Sequence, residues 1–157
     1  MSTEKAVHIT PLYGAPITLH LARQAAQAAE DEATRHGWPM VIAVVDSGGN
    51  LVLQHRLDQA QYGSIDVARQ KAETAVRFRR STKLFEDALA QGGMHLRLLG
   101  MTNLTPLDGG IPLILEGKII GAIGVSGMQS DQDAKVAQAG ADALRGIHGQ
   151  SPGFATR

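Results

Sequence analysis

The stretch Val41-Ile-Ala-Val-Val45, Asp46-Ser-Gly-Gly-Asn50, Leu51-Val-Leu-Gln-His-Arg56 constrains the fold more than any other. Two apolar, partly β-branched runs flank a glycine-rich turn, which is the pattern of a β-hairpin. A second pair of runs follows at Ile111-Pro-Leu-Ile-Leu115 and Lys118-Ile-Ile-Gly-Ala-Ile-Gly-Val-Ser126, joined by Glu116-Gly117. Hairpins impose antiparallel pairing. Pro112 cannot donate to a ladder, so its strand lies at an edge or begins there. Gly121, Gly124 and Gly127 thin the last strand, the signature of a bulge or of something packed close against it.

Between and around the hairpins the apolar period is helical. Thr18 is placed to cap a first helix with Leu19, Ala22, Ala26, Ala29 and Ala33 on one face, stopped by Gly37. Ser64 is expected to cap a second helix running to about Arg79, with Ile65, Ala68, Ala72 and Ala75 inward. Ser81 or Thr82 opens a third that ends at Gly92-Gly93. Ser130 or Asp131 opens the last, with Ala134, Val136, Ala137, Ala141 and Leu144 inward and an end near Gly146. Met94–Leu104 follows neither period. The order α-β-β-α-α-β-β-α, with antiparallel hairpins and helices over at least one face, is an α+β pattern. The expected organisation is an N-terminal arm over residues 1–16, a single domain over 17–146 and a polar C-terminal tail over 147–157.

Composition narrows the chemistry. The 157 residues carry no Cys, which removes disulfides, iron–sulfur clusters, thiolate zinc sites and cysteine nucleophiles. Fifteen basic residues balance fifteen acidic ones, so neither nucleic acid nor an anionic membrane is signalled as a partner. Met1–Leu12 has no apolar signal-peptide core, and no run reaches the length of a membrane span, so a cytoplasmic location is expected.

No two of the six histidines (His8, His20, His36, His55, His95 and His148) stand at metal-ligand spacing. A single axial ligand to a heme is a smaller demand: one neutral imidazole beside an apolar slot. His20, flanked by Leu19 and Leu21, suits that role, or else is an exposed histidine on a partly buried helix. His55 ends a strand beside Arg56 and admits both readings too. Gly121-Ala-Ile-Gly-Val-Ser-Gly127 lacks the spacing of a dinucleotide loop and the Lys-Ser/Thr of a P-loop, and Asp131 and Asp133 place negative charge where a phosphate would sit. Gly124-Val-Ser-Gly127 falls one residue short of a hydrolase elbow. The basic segment from Arg69 to Lys83 reads as a solvated face, except that Lys71, among small residues, can turn toward a carboxylate or a propionate. Asp108-Gly109-Gly110 is either an ordinary turn or a backbone nest for an anion.

These residues together resemble one family. Its pattern is carried by Val41–Asp46 with Gly48-Gly49 and Arg56, by Ser64, Ala68, Lys71-Ala72 and Thr74-Ala75, and by Gly109-Gly110-Ile-Pro112. It continues through Gly121–Gly127, followed by Asp131 and Asp133. The family is that of the glycolate-utilisation accessory protein GlcG, of secreted heme-binding sensors of the HbpS type, and of the C-terminal domain of PduO-type cobalamin adenosyltransferases. The match spans roughly residues 17–146. The resemblance implies a profilin-like fold with a five-stranded antiparallel sheet, and a homo-oligomer built from dimers, as a tetramer or octamer. It also implies heme as a ligand for some members, without one agreed activity. The histidine ligand of heme-binding relatives lies in the first helix, where His20 stands.

The leading expectation is therefore a small-ligand-binding protein that binds or handles heme, with His20 as tentative iron ligand and His55, Arg56, Lys71, Gly109 and Gly110 as further ligand-binding candidates. The competing class is an enzyme or accessory acting on a small organic acid, with Arg56 and Lys71 on the carboxylate and Gly109-Gly110 as backbone donors. A third is an oligomeric scaffold in a catabolic complex.

Overall fold

The computed structural model of the chain describes residues 10–147. Its elements are α1 (Leu19–His36), β1 (Val41–Asp46), β2 (Leu51–Arg56), α2 (Gly63–Phe78), α3 (Lys83–Gln91), a 3-10 helix (Gly93–Gly100), β3 (Gly110–Leu115), β4 (Lys118–Ser126) and α4 (Ser130–Asp142). The segment without a clear period is thus mostly the 3-10 helix. The C-terminal tail, with His148, and the first nine residues, with His8, lie outside the described residues.

Both hairpins form, and the sheet is antiparallel throughout in the order β2-β1-β4-β3. Pro112 lies on an edge strand, as its missing donor requires. The sheet has four strands and not the five that the resemblance implies. Residues 12–17 run beside β4 where β1 has ended, with Ile119 N–H donating to Leu12 O, Gly14 N–H to Ile119 O and Ile17 N–H to Ile120 O, each at 2.8 Å. Only one parallel bridge, Tyr13 to Ile119, results. Pro11 and Pro16 have no N–H to extend the ladder, so this segment stays a seam.

Helices cover both faces. On one, Ala22, Ala25, Ala26, Ala29 and Ala33 of α1 and Val136 and Ala137 of α4 pack on Ile42, Val44, Leu113, Ile123 and Val125. On the other, Ala68, Ala72, Ala75 and Val76 of α2 meet Val41, Ala43, Val45, Ile119 and Ala122. Cover on both sides explains why five successive residues of β1, Val41–Val45, are buried with no polar alternation.

Helix starts show where side-chain chemistry and packing part ways. Thr18 caps α1 as expected, its Oγ1 accepting from Leu21 N–H, and Gly37 ends the helix at φ 70°. Ser64 does not cap α2: the helix begins at Gly63, and Ser64 is buried against Ser126, Oγ to Oγ 3.1 Å. At α4 the cap is Gln129, in a reciprocal capping box with Gln132.

The β4 glycines are sites of close approach. A Cβ at Gly124 would stand 2.0 Å from Ala68 O of α2, at Gly121 2.2 Å from Val45 O, and at Gly110 of β3 2.4 Å from Lys71 O. Each obstruction is backbone, which cannot swing aside as a side-chain tip can. Gly124→Ala is therefore expected to destabilise the protein by about 3 kcal/mol or more, the upper range for overpacking. Gly63→Ala, which meets nothing within 4 Å at the first turn of α2, is expected to be neutral or slightly stabilising. Denaturant melts of the two variants check the contrast.

Candidate functional site

Close packing of α2 on β3 and β4 determines where Lys71 goes. Residues 64, 68, 71, 72 and 75 form the inward stripe of α2, so the ammonium of Lys71 must end inside the fold. The residue is 2% exposed. Its Nζ donates to Val125 O at 2.9 Å and to Asp133 Oδ2 at 2.9 Å. Asp133 occupies the matching position on α4, where 133, 136, 137 and 140 are buried. Its other oxygen accepts from Met128 N–H at 2.9 Å. Burial pushes the Asp133 carboxyl up, while the Lys71 ammonium and the Met128 and Gly127 amides oppose that shift. Asp133 therefore presents its charge to Lys71 and not to solvent at the mouth of α4.

Gly109 and Gly110 complete this knot. A Cβ on Gly109 would stand 3.0 Å from Lys71 Nζ, and φ at Gly109 is 120°. The Gly109 N–H donates to Asp108 Oδ1 at 2.8 Å, and the Gly110 N–H to Thr82 Oγ1 at 2.9 Å. Asp108 is itself buried, and burial, aided by the charge of Glu86, raises its carboxyl above the usual range against the pull of the Gly109 amide and of Lys83 and Lys71. Lys71, Gly109 and Gly110 are thus brought together, with both glycine amides already occupied.

The remaining candidates lie elsewhere. Arg56 is exposed at the end of β2, its guanidinium 5.8 Å from the centre of the Tyr62 ring. His55 is half-buried with Nδ1 3.6 Å from Glu30 Oε2, too long for a hydrogen bond, and among the described residues that buried atom has no hydrogen-bond partner. His20 is exposed at the start of α1, and its Nε2 lies 3.0 Å from the Gln24 side-chain nitrogen. Ten residues of α1 separate His20 from Glu30, about 15 Å along the helix axis, so His20 and His55 do not share one pocket. Among the described residues no three His, Asp or Glu side chains gather as a metal site.

Sequence reasoning missed Asp133 as the partner of Lys71, and the Thr82 and Asp108 contacts. A signal for the first was present: both charged residues sit on the buried stripe of their own helix, and a charge placed there needs an opposite one within reach. Removing one partner strands the other. Lys71→Met is expected to destabilise the protein by about 3–5 kcal/mol, and Lys71→Met with Asp133→Asn to recover more than half of that, because Asn keeps the acceptor for Met128 without the charge. Chemical denaturation of both variants checks this.

The comparisons with known proteins bear on the whole domain. Residues 17–142 match the family described as haem-degrading protein HbpS-like. An uncharacterised 15.0 kDa protein from the dhaT–dhaS intergenic region of Citrobacter freundii is 41% identical over 130 residues, covering 82% of this chain and 92% of its own length. The crystal structure of Klebsiella pneumoniae ORFY superposes with a TM-score of 0.80 at 32% identity, over 91% of this chain and all of that one. That of the PduOC:heme complex superposes with a TM-score of 0.75 at 28% identity, over 85% of this chain and 99% of that one. With the family pattern matched from before α1 through α4, this chain belongs to the HbpS-like family.

Proposed function

We propose that this protein binds heme, with an imidazole of its own as axial ligand. The observation that supports this reading most is the likeness to the PduOC:heme complex, which extends over 85% of the chain. The donor chemistry of His20 fits. Its Nε2 lies 3.0 Å from the Gln24 side-chain nitrogen at the exposed start of α1, and an imidazole nitrogen is a donor that heme iron takes as axial ligand. Ligation exchanges one exposed hydrogen bond for a metal bond. Leu19, 46% exposed beside it, offers apolar surface to a macrocycle. His55, whose Nδ1 has no hydrogen-bond partner among the described residues, is the second candidate.

The same reading includes a dimer-based homo-oligomer. Leu84 of α3 and Met94, Leu96 and Leu99 of the 3-10 helix are all exposed, with Met94 at 69% and Leu99 at 67%. Large apolar side chains clustered in this way on a folded domain mark an association surface. Light scattering is expected to return a mass at least twice the 16.6 kDa of one chain, and a monomer would refute the point. Among the described residues no helix is long and apolar enough to cross a membrane.

Hemin titration tests the main proposal. The wild type is expected to develop a shifted Soret band. His20→Ala should change the position of the band or weaken binding by about tenfold or more, as loss of a metal ligand does. Equal spectra and affinities in the two proteins would transfer the role to His55, and no Soret shift in the wild type would refute heme binding.

A further inference from the structure

A heme held by one imidazole still carries two propionate charges, which a cation beside the axial ligand would meet. Neither cation that the sequence suggests for that role is near His20. Lys71 is engaged inside the fold by Asp133 and by Val125 O. Arg56 follows His55 on β2, and His55 faces α1 at the level of Glu30, about 15 Å along the axis from His20. Helix α1 itself supplies a cation that the sequence reading passed over.

The exposed residues at the start of α1 are Leu19, His20, Arg23, Gln24 and Gln27, with Ala22, Ala25 and Ala26 buried behind them. Residues three and four apart are surface neighbours on a helix, their Cβ atoms about 5–6 Å from each other. Arg23 therefore adjoins His20 at i,i+3 and Leu19 at i,i+4, whereas Gln24 lies on the other side of the imidazole. One flank of His20 is apolar and then cationic, and the other is an amide. A macrocycle ligated by His20 and resting on Leu19 brings its rim to Arg23. The methylene stem of an arginine lies along such apolar surface while its guanidinium reaches past the edge.

No carboxylate already answers this charge. The Arg23 side chain has no hydrogen bond or ion pair with any described residue. The next acids on α1, Glu30 and Asp31, stand about 10–12 Å further along the axis. Glu30 faces His55, and Asp31 accepts from Gln27 at 2.8 Å. On α4, which packs against α1, Asp142 pairs with Arg145 at 3.1 Å and accepts from Gln138 at 2.8 Å. Residues 10–18, which lead into the helix, include no acid.

We propose that Arg23 binds a propionate of heme held through His20. The inference rests on the reading of His20 as axial ligand. Guanidinium and carboxylate match as a planar two-point pair. One ligand atom on iron leaves the macrocycle free to turn about the iron–imidazole axis. A second point of attachment at its rim fixes that turn and favours porphyrins that carry free carboxylates.

The test compares hemin with its dimethyl ester, which has the same ring and iron but no propionate charge. Each is titrated into the wild type, Arg23→Ala, Arg23→Lys and Arg56→Ala and followed at the Soret band. Arg23→Ala is expected to weaken hemin binding about threefold or more, as loss of a charge pair does. Its saturated band should stand where that of the wild type stands, because the iron keeps its ligand, and the ester should bind both proteins equally. Arg23→Lys should keep most of the affinity, and Arg56→Ala all of it. Arg23 is exposed, so its replacement leaves the core intact. Equal hemin affinity of the wild type and Arg23→Ala, or an equal loss toward the ester, would overturn the role of Arg23 and leave His20 in place. A wild type without a Soret shift would overturn the heme reading and this inference together.

Discussion

The close approach of α2 to the sheet is the constraint on which the other features depend. A helix can lie this near to strands only where side chains are absent between the two backbones. Gly124 and Gly110 provide that absence beneath Ala68 and Lys71. Once α2 is seated there, its inward stripe has no solvent to escape to, and Lys71 must be neutralised within the fold. Asp133 and the carbonyl of Val125 do so from α4 and β4. Helix α2, strand β4 and the start of α4 are thereby tied together at a single ammonium.

A buried ion pair is not by itself a source of stability, because desolvating both charges offsets most of their attraction. What this pair supplies is definition. The carboxylate of Asp133 has one oxygen on Lys71 and the other on Met128 N–H, so the turn from β4 into α4 has a single arrangement that satisfies all three groups. The seam of residues 12–17 along β4 acts in the same way at the other end of the strand, with three short backbone hydrogen bonds and no ladder.

The surfaces proposed to carry function lie outside this knot. His20 and Arg23 stand at the start of α1 on one side of the sheet, and the exposed apolar residues of α3 and the 3-10 helix form a second surface. This separation keeps the proposed heme ligand and the exposed apolar surface from competing for the same side chains. It also leaves Gly109 and Gly110, whose amides are engaged with Asp108 and Thr82, as parts of the framework beside Lys71.

Much of the fold was determined by local rules that the sequence states openly. Val41–Val45 and Leu51–Arg56 about a glycine-rich turn had to pair, Thr18 and Gly37 had to bound α1, and the alanine stripes had to face inward. The family was legible for the same reason, since its motifs are the residues that local geometry and close packing demand. Tertiary structure alone decided the partner of Lys71, 62 residues away, and turned Ser64 from an expected cap into a buried contact with Ser126. It also decided that residues 12–17 form a seam and not a fifth strand, and that Thr74 holds residue 105 against α2. Period and turn chemistry act over a few residues and are written in order along the chain. Contacts between distant segments depend on how far one backbone can approach another, which is settled only when the layers close.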